Sequence, residues 1–211
     1  MEIFCIESIA STHLFLCEQI REGKMTQNCA LYALDQSGGV GSRDNVWQSS
    51  RGNLHLSFCL REGDLPSDLP LASVSIYFAF LMREILSSLG SKIWLKWPND
   101  LYLADKKVGG VMSAKLGDFI VGGVGLNLKF APPGAGLCDV KITPRELVEE
   151  FVRSLEGKNS WKNIFNHYVL EFEKSRKFSV HHDGRVLSLR EALLYEDGSI
   201  LLEGKRVYSL R

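Results

Sequence analysis

The sequence predicts an α+β fold: a mixed, largely antiparallel sheet with flanking helices and a small all-β cap at the C-terminus. Three observations point there. Short apolar segments between residues 93 and 124 are separated by tight turns at Asp105-Lys106 and Gly117-Asp118, which suit antiparallel hairpins. Helical periodicity comes in separate blocks, not regularly between strands, so a parallel βαβ sheet is not expected. From about Phe178 the chain changes to short segments punctuated by Asp183-Gly184, Asp197-Gly198 and Glu203-Gly204. The expected division is a main domain over 1–176 and a β domain over 177–211. The second is too small for an independent core and leans on the first.

Ile3 to Ile6, wholly apolar between glutamates, reads as a buried strand. Ser11 and Thr12 offer hydroxyl caps to a helix that runs to about Arg21 and ends at Gly23. Cys29 to Leu34 reads as a second strand. Gln36 to Asn53, rich in Gly, Ser, Asp and Asn, reads as a long loop, and loops of that length are usually functional or disordered. Asn53 to Leu60 alternates apolar and polar residues, as a half-buried strand does. After Pro66 and Pro70 a helix reaches about Leu89 and stops at Gly90. Short strands follow at Ile93–Leu95, Leu101–Leu103, Val108–Met112 and Phe119–Val124. Thr143-Pro144-Arg145-Glu146 is a capping box with proline at the first helical position. Leu147, Val148, Phe151, Val152 and Leu155 continue that helix. Trp161, Ile164, Phe165, Tyr168, Val169 and Phe172 mark another.

Composition narrows the function. With 45% apolar and 24% charged residues, the chain reads as an ordinary globular protein, and 25 basic residues balance 25 acidic ones. That balance gives no reason to expect duplex DNA or an anionic membrane as partner. The N-terminus lacks the basic and apolar regions of a signal peptide, and the longest apolar run, Leu69 to Met82, suits a buried helix better than a membrane span. Five scattered cysteines without a CxxC pair suggest reduced, mostly buried thiols and a cytoplasmic location. No P-loop and no strand-to-helix GxGxxG is present, so a nucleotide is not expected by those routes.

The most specific segment is Lys96-Trp97-Pro98-Asn99-Asp100-Leu101-Tyr102, followed by Lys106-Lys107-Val108-Gly109-Gly110-Val111. A lysine ending a strand could hold carboxylate and phosphate oxygens. Paired glycines in a strand suggest close approach of a ligand. On composition alone, a plain Pro-Asn-Asp turn and a strand glycine kink are the better account.

The segment resembles the signature of biotin protein ligases. Ser11-Thr12 after a strand, Gln36 opening a Gly-rich loop, Trp47, Asn53-Leu54 and Val121-Gly122-Gly123-Val124-Gly125-Leu126-Asn127 follow in that family's order, strongly over about residues 2–130. The resemblance implies the fold shared by biotin ligases and class II aminoacyl-tRNA synthetases, with an SH3-like C-terminal cap. It implies a ligase that forms biotinoyl-5′-AMP from biotin and ATP, then passes biotin to a lysine of a biotin carboxyl carrier protein domain of acetyl-CoA carboxylase or a related carboxylase.

By the same resemblance, Ser11, Thr12 and Gln36 bind the ureido ring, for which hydroxyls and an amide supply donors and acceptors. His13 stands where the family usually has asparagine and would still donate or accept. Lys96 would bridge the biotin carboxylate and the α-phosphate. Gly39, Gly41, Gly109, Gly110, Gly122 and Gly125 would line the biotin slot. Val40, Ser42, Arg43, Trp47, Asn53, Asn99 and Asn127 would meet the adenylate, with Trp47 over the adenine. Mg²⁺ would come with ATP on phosphate oxygens and water, with no protein ligand assigned. Asp100 serves equally well as a turn residue, and no general base stands out.

One departure concerns the loop. The family's Gly-Arg-Gly-Arg-Arg-Gly-Arg is here Gly39-Val40-Gly41-Ser42-Arg43-Asp44-Asn45, which leaves Arg43 as the expected dominant cation and a catalytic residue beside Lys96. With the sequence opening on the ligase-like strand, a helix-turn-helix and a DNA-binding repressor role are not expected. A lipoate-type ligase and a catalytically silent biotin- or carrier-binding module stay open as alternatives, as does a homodimer.

Overall fold

The computed structural model describes residues 1–41, 46–48, 50–182 and 184–209. Seven strands form the main sheet in the order β1 (Glu2–Ile9), β2 (Cys29–Gln36), β5 (Leu54–Arg61), β9 (Phe119–Leu126), β8 (Lys106–Leu116), β7 (Asp100–Leu103) and β6 (Trp94–Lys96). Only β1 and β2 run parallel, because α1 (Thr12–Arg21) carries the chain back between them. Every other pair is antiparallel, and turns at Ala104-Asp105 and Gly117-Asp118 join β7 to β8 and β8 to β9. The mixed sheet agrees with the α+β reading.

Two strands differ from expectation in burial. β1 lies at the sheet edge, so Phe4 and Cys5 are exposed although the run is apolar. Cys17, Cys29 and Cys59 are buried. In β5 the alternation is real, yet all residues but Arg61 are buried. Leu54, Leu56, Phe58 and Leu60 join the main core, while α1 covers the other face.

The main core lies on the opposite side from α1. There α2 (Val74–Ser88), entered through a 3-10 turn at Leu71–Ser73, packs with α3 (Pro144–Glu156). Leu71–Ser88 has the length and hydropathy of a membrane crossing, but every residue from Val74 to Met82 is buried within this fold. Phe58 stands at the centre, edge-on to Phe78 at 4.7 Å and Phe151 at 5.1 Å. Its ring rests on bare backbone, since a Cβ at Gly122 would fall 2.2 Å from Phe58 Cζ.

The capping box of α3 forms as read. Glu146 N–H donates to Thr143 Oγ1 at 3.2 Å, and Thr143 N–H donates to Glu146 Oε2 at 2.9 Å. Thr143→Ala is expected to lower the unfolding free energy by about 1 kcal/mol. In a chain of this size that is a fall of roughly 2–4 °C in Tm, checked by calorimetry.

After α4 (Trp161–Ser175) come the hairpin β10 (Ser179–His182) and β11 (Arg185–Ser188), then a three-stranded sheet of β12 (Leu193–Leu194), β13 (Ile200–Leu202) and β14 (Lys205–Val207). Val180, Leu187, Leu189, Ala192, Ile200, Leu202 and Val207 belong to the same buried cluster as Leu54 and Phe78. Trp97 Nε1–H donates to the Gly198 carbonyl at 2.9 Å, Trp161 Nε1–H to that of Glu196 at 2.8 Å, and the Ser73 hydroxyl to that of Asp197.

Candidate active site

A cleft of about 530 Å³ opens on the α1 side of the sheet. Its floor consists of two rungs of cross-strand neighbours. One runs Ser57, Gly123, Met112; the other runs His55, Gly125, Gly110, Asp100. All seven residues line the cleft. The three glycines make the middle of the floor flat. From β5 to β7 the longer rung crosses three strand spacings, roughly 14 Å.

The β2/β5 end is a hydrogen-bonding cluster. Ser11 caps α1, its oxygen accepting from Leu14 N–H at 3.3 Å. Thr12 N–H donates to Gln36 Oε1 at 2.9 Å, and the Thr12 hydroxyl donates to the same oxygen at 3.1 Å. A backbone N–H can only donate, so it orients the amide. With the one Thr12 proton so used, the Ser57 hydroxyl donates to Thr12 Oγ1 across 2.9 Å.

His13 and His55 complete this end, 8% and 2% exposed. Burial holds both imidazoles below their usual range; Arg21 adds to this at His13, while the Ala33 backbone and Asp35 oppose it at His55. In the unfolded chain both take up protons near the ordinary value of about 6.5, whereas in the folded chain they do so only at lower pH. The folded state is therefore penalised once pH drops through that value. Urea unfolding at pH 7.5 and 5 should show lower stability at pH 5, with a smaller loss in His13→Asn.

The β7/β8 end carries charge. Lys107 Nζ lies 2.6 Å from Asp100 Oδ1, and both residues line the cleft. A β-bulge puts the lysine there: Leu101 pairs with Gly109 but Tyr102 with Lys107, leaving Val108 as the extra residue. An inserted residue flips the alternation, so Lys107 reaches the face of Gly110. Lys107 Cε and Nζ sit 3.4 and 3.5 Å from where a Gly110 Cβ would stand. Asn99 is tied beside them, its amide donating to the Val111 carbonyl while Val111 N–H donates to the Asn99 carbonyl at 2.9 Å.

A short hairpin of β3 (Gly39–Val40) and β4 (Val46–Trp47) hangs over the floor, within the segment expected to be a loop. Val40, Gly41 and Trp47 line the cleft. The indole presses on Gly125, where a Cβ would be 2.5 Å from Trp47 Cε2. Ser42 and Arg43 lie outside the described residues.

The structure thus brings together Ser11, Thr12, His13, Gln36, Val40, Gly41, Trp47, Asn99, Gly110 and Gly125. Other candidates fall elsewhere. Lys96 is 8% exposed and does not line the cleft; its ammonium stands 5.4 Å from the Tyr102 ring and 5.7 Å from that of Phe178. Lys107 does line the cleft. Gly122 faces Phe58 on the core side, and Gly109 faces Leu126; Gly123 takes the floor position. Gly39 is buried in β3, paired with Trp47.

Asn53 and Asn127, expected at the adenylate, do not line the cleft, and they brace the chain beside it. Asn53 Oδ1 accepts from the backbone N–H groups of Leu128, Lys129 and Phe130 at 3.1, 2.9 and 3.0 Å. Its Nδ2 donates to the Phe130 carbonyl at 2.8 Å, and Asn127 Nδ2 donates to that of Gly136 at 3.1 Å. Sequence reading missed Lys107, His55, Ser57, Met112 and Gly123. His55 and Ser57 carried a signal as the polar positions of an alternating strand, and Lys107 and Gly123 stand within the quoted motifs without an assigned role.

The cleft defines a site for a slender molecule with a hydrogen-bonding head and an anionic end. The profile of the biotin/lipoate A/B protein ligase family matches residues 5–128, and the chain belongs to that family. It is 36% identical to biotin acetyl coenzyme A carboxylase synthetase from Helicobacter pylori, solved with bound biotinylated ATP, at a TM-score of 0.93 over 98% of this chain and 99% of the other. It is 38% identical over 127 residues to the bifunctional ligase/repressor BirA of Escherichia coli strain K12, covering 57% of this chain and 38% of BirA. The chain thus spans under half the length of that curated relative. Biotin protein ligase from Aquifex aeolicus, 19% identical over 100% of this chain and 96% of its own, shares the fold at a TM-score of 0.77.

Proposed function

We propose that this chain is a biotin–protein ligase that joins biotin to AMP with loss of pyrophosphate and then passes the biotinyl group to a lysine of a carboxylase carrier domain. One observation carries the reading: a glycine-floored cleft joins the Thr12–Gln36–Ser57 cluster to the Lys107 ammonium. The cluster suits the ureido head. Lys107 suits the carboxylate and α-phosphate, where it offsets charge that grows as the phosphate is attacked. Arg43 adds a cation from the loop, and Trp47 suits the adenine. The likeness to the Helicobacter enzyme supports biotin as the acid.

Asp100 is the one carboxylate lining the cleft among the described residues, and it is already joined to Lys107. Mg²⁺ would therefore be held by ATP phosphates and water rather than a protein cage. The carrier is a biotin carboxyl carrier domain of acetyl-CoA carboxylase or a related enzyme. The test is to incubate the chain with Mg-ATP, a carrier domain and equal biotin and lipoate, then weigh the carrier. A biotinyl mass increase is expected; a lipoyl increase, or neither with no pyrophosphate released, overturns the reading.

A further inference from the structure

The helix α1 enters the cleft with Ser11, Thr12 and His13, and His13 differs from its neighbours. Its Nδ1 is buried, has no hydrogen-bond partner among the described residues, and lies 3.5 Å from where a Gly123 Cβ would stand. Behind it, one helical turn on, Cys17 Sγ lies 3.7 Å from Nε2. Cys17 does not line the cleft; it is packed with Leu16, Cys29, Cys59, Phe119 and Val121.

Burial disfavours charge on both groups, holding the imidazole low and the thiol high. The pair is thus a neutral imidazole with one proton and a protonated thiol. Two arrangements are available: S–H donating to Nε2, or Nε2–H donating to sulfur. Imidazole nitrogen is a good acceptor and thiol sulfur a weak one, which favours the first. The single ring proton then sits on Nδ1, facing the cleft.

We propose that the Cys17 thiol donates to His13 Nε2, fixes the imidazole as the Nδ1–H form, and so presents a buried donor to an acceptor atom of the bound substrate. This rests on the cleft binding biotin and adds two residues to that reading. His13 touches the substrate; Cys17 is a positioning residue that acts through it. A buried donor without a partner is costly, so a ligand offering no acceptor there binds less well.

The test combines ¹⁵N spectra of the ligand-free chain with calorimetric titration of biotin. Wild type should show a pyrrole-like Nδ1 and a pyridine-like Nε2. Cys17→Ala should mix the two tautomers, and Cys17→Ser, which keeps a donor, should restore one. The Kd for biotin should rise about tenfold in His13→Ala and about threefold in Cys17→Ala, with the KM for ATP unmoved. A pyridine-like Nδ1 in wild type overturns the proposal, as does a His13→Ala Kd within about twofold of wild type. Wild type that binds no biotin overturns the reading of the cleft instead, while the spectra still decide the Cys17 contact.

Discussion

Lys107→Ala is expected to lower kcat for biotin adenylation by about 10²–10³-fold, the usual loss when one preorganised donor to a developing oxyanion is removed. Pyrophosphate release at saturating biotin and ATP is the measurement. The size follows from placement. The ammonium lies across Gly110 on the cleft floor, in contact with Asp100, and the bulge at Val108 holds its strand there. Folding should be little affected, because the Lys107 side chain is 42% exposed and exposed ion pairs contribute little to stability. Lys107→Arg keeps the charge but spreads it over a planar fork, so partial activity is expected. A Lys107→Ala variant within about threefold of wild type would remove the lysine from the chemistry.

Asn53→Ala is expected to cost about 2–4 kcal/mol, because one buried amide oxygen serves three backbone N–H groups and its amide nitrogen serves a carbonyl. At this chain length the Tm should fall by roughly 4–16 °C, readable by calorimetry. Activity should fall with it, and not only through unfolding. The segment that Asn53 braces continues to Gly136, whose N–H donates to the Lys107 carbonyl at 2.9 Å. A stable Asn53→Ala chain with full activity would show that this segment does not position the lysine.

Much of the fold was legible because local signals agreed with tertiary demands. The Thr143 box, the Ser11 cap and the tight turns each specify one local geometry. Burial was less legible, since it depends on neighbours in the sheet. The apolar run of β1 became an edge, and the polar positions of β5 became a cleft floor under α1 instead of a solvent face. In the site, the hydroxyls and Gln36 were found by motif order. That Lys107 lines the cleft was not legible, for a geometric reason. A strict period of two puts Lys107 and Gly110 on opposite faces, and only the bulge reverses that. Glycines 122 and 123 posed the same problem: one residue of register decides which floors the cleft and which lies under Phe58.

Trp97 ties the tail of the chain to the cleft. Its indole is bonded to Gly198 and its backbone N–H to Ser175 Oγ, while two residues later Asn99 lines the cleft. The final strands thus act as a buttress behind the turn that carries Asn99 and Asp100. Clipping the chain after α4 would take that buttress away together with Val180, Leu187, Leu189, Ala192, Ile200, Leu202 and Val207 of the core, and a bulky residue at Gly198 would be felt at a cleft about one hundred positions away.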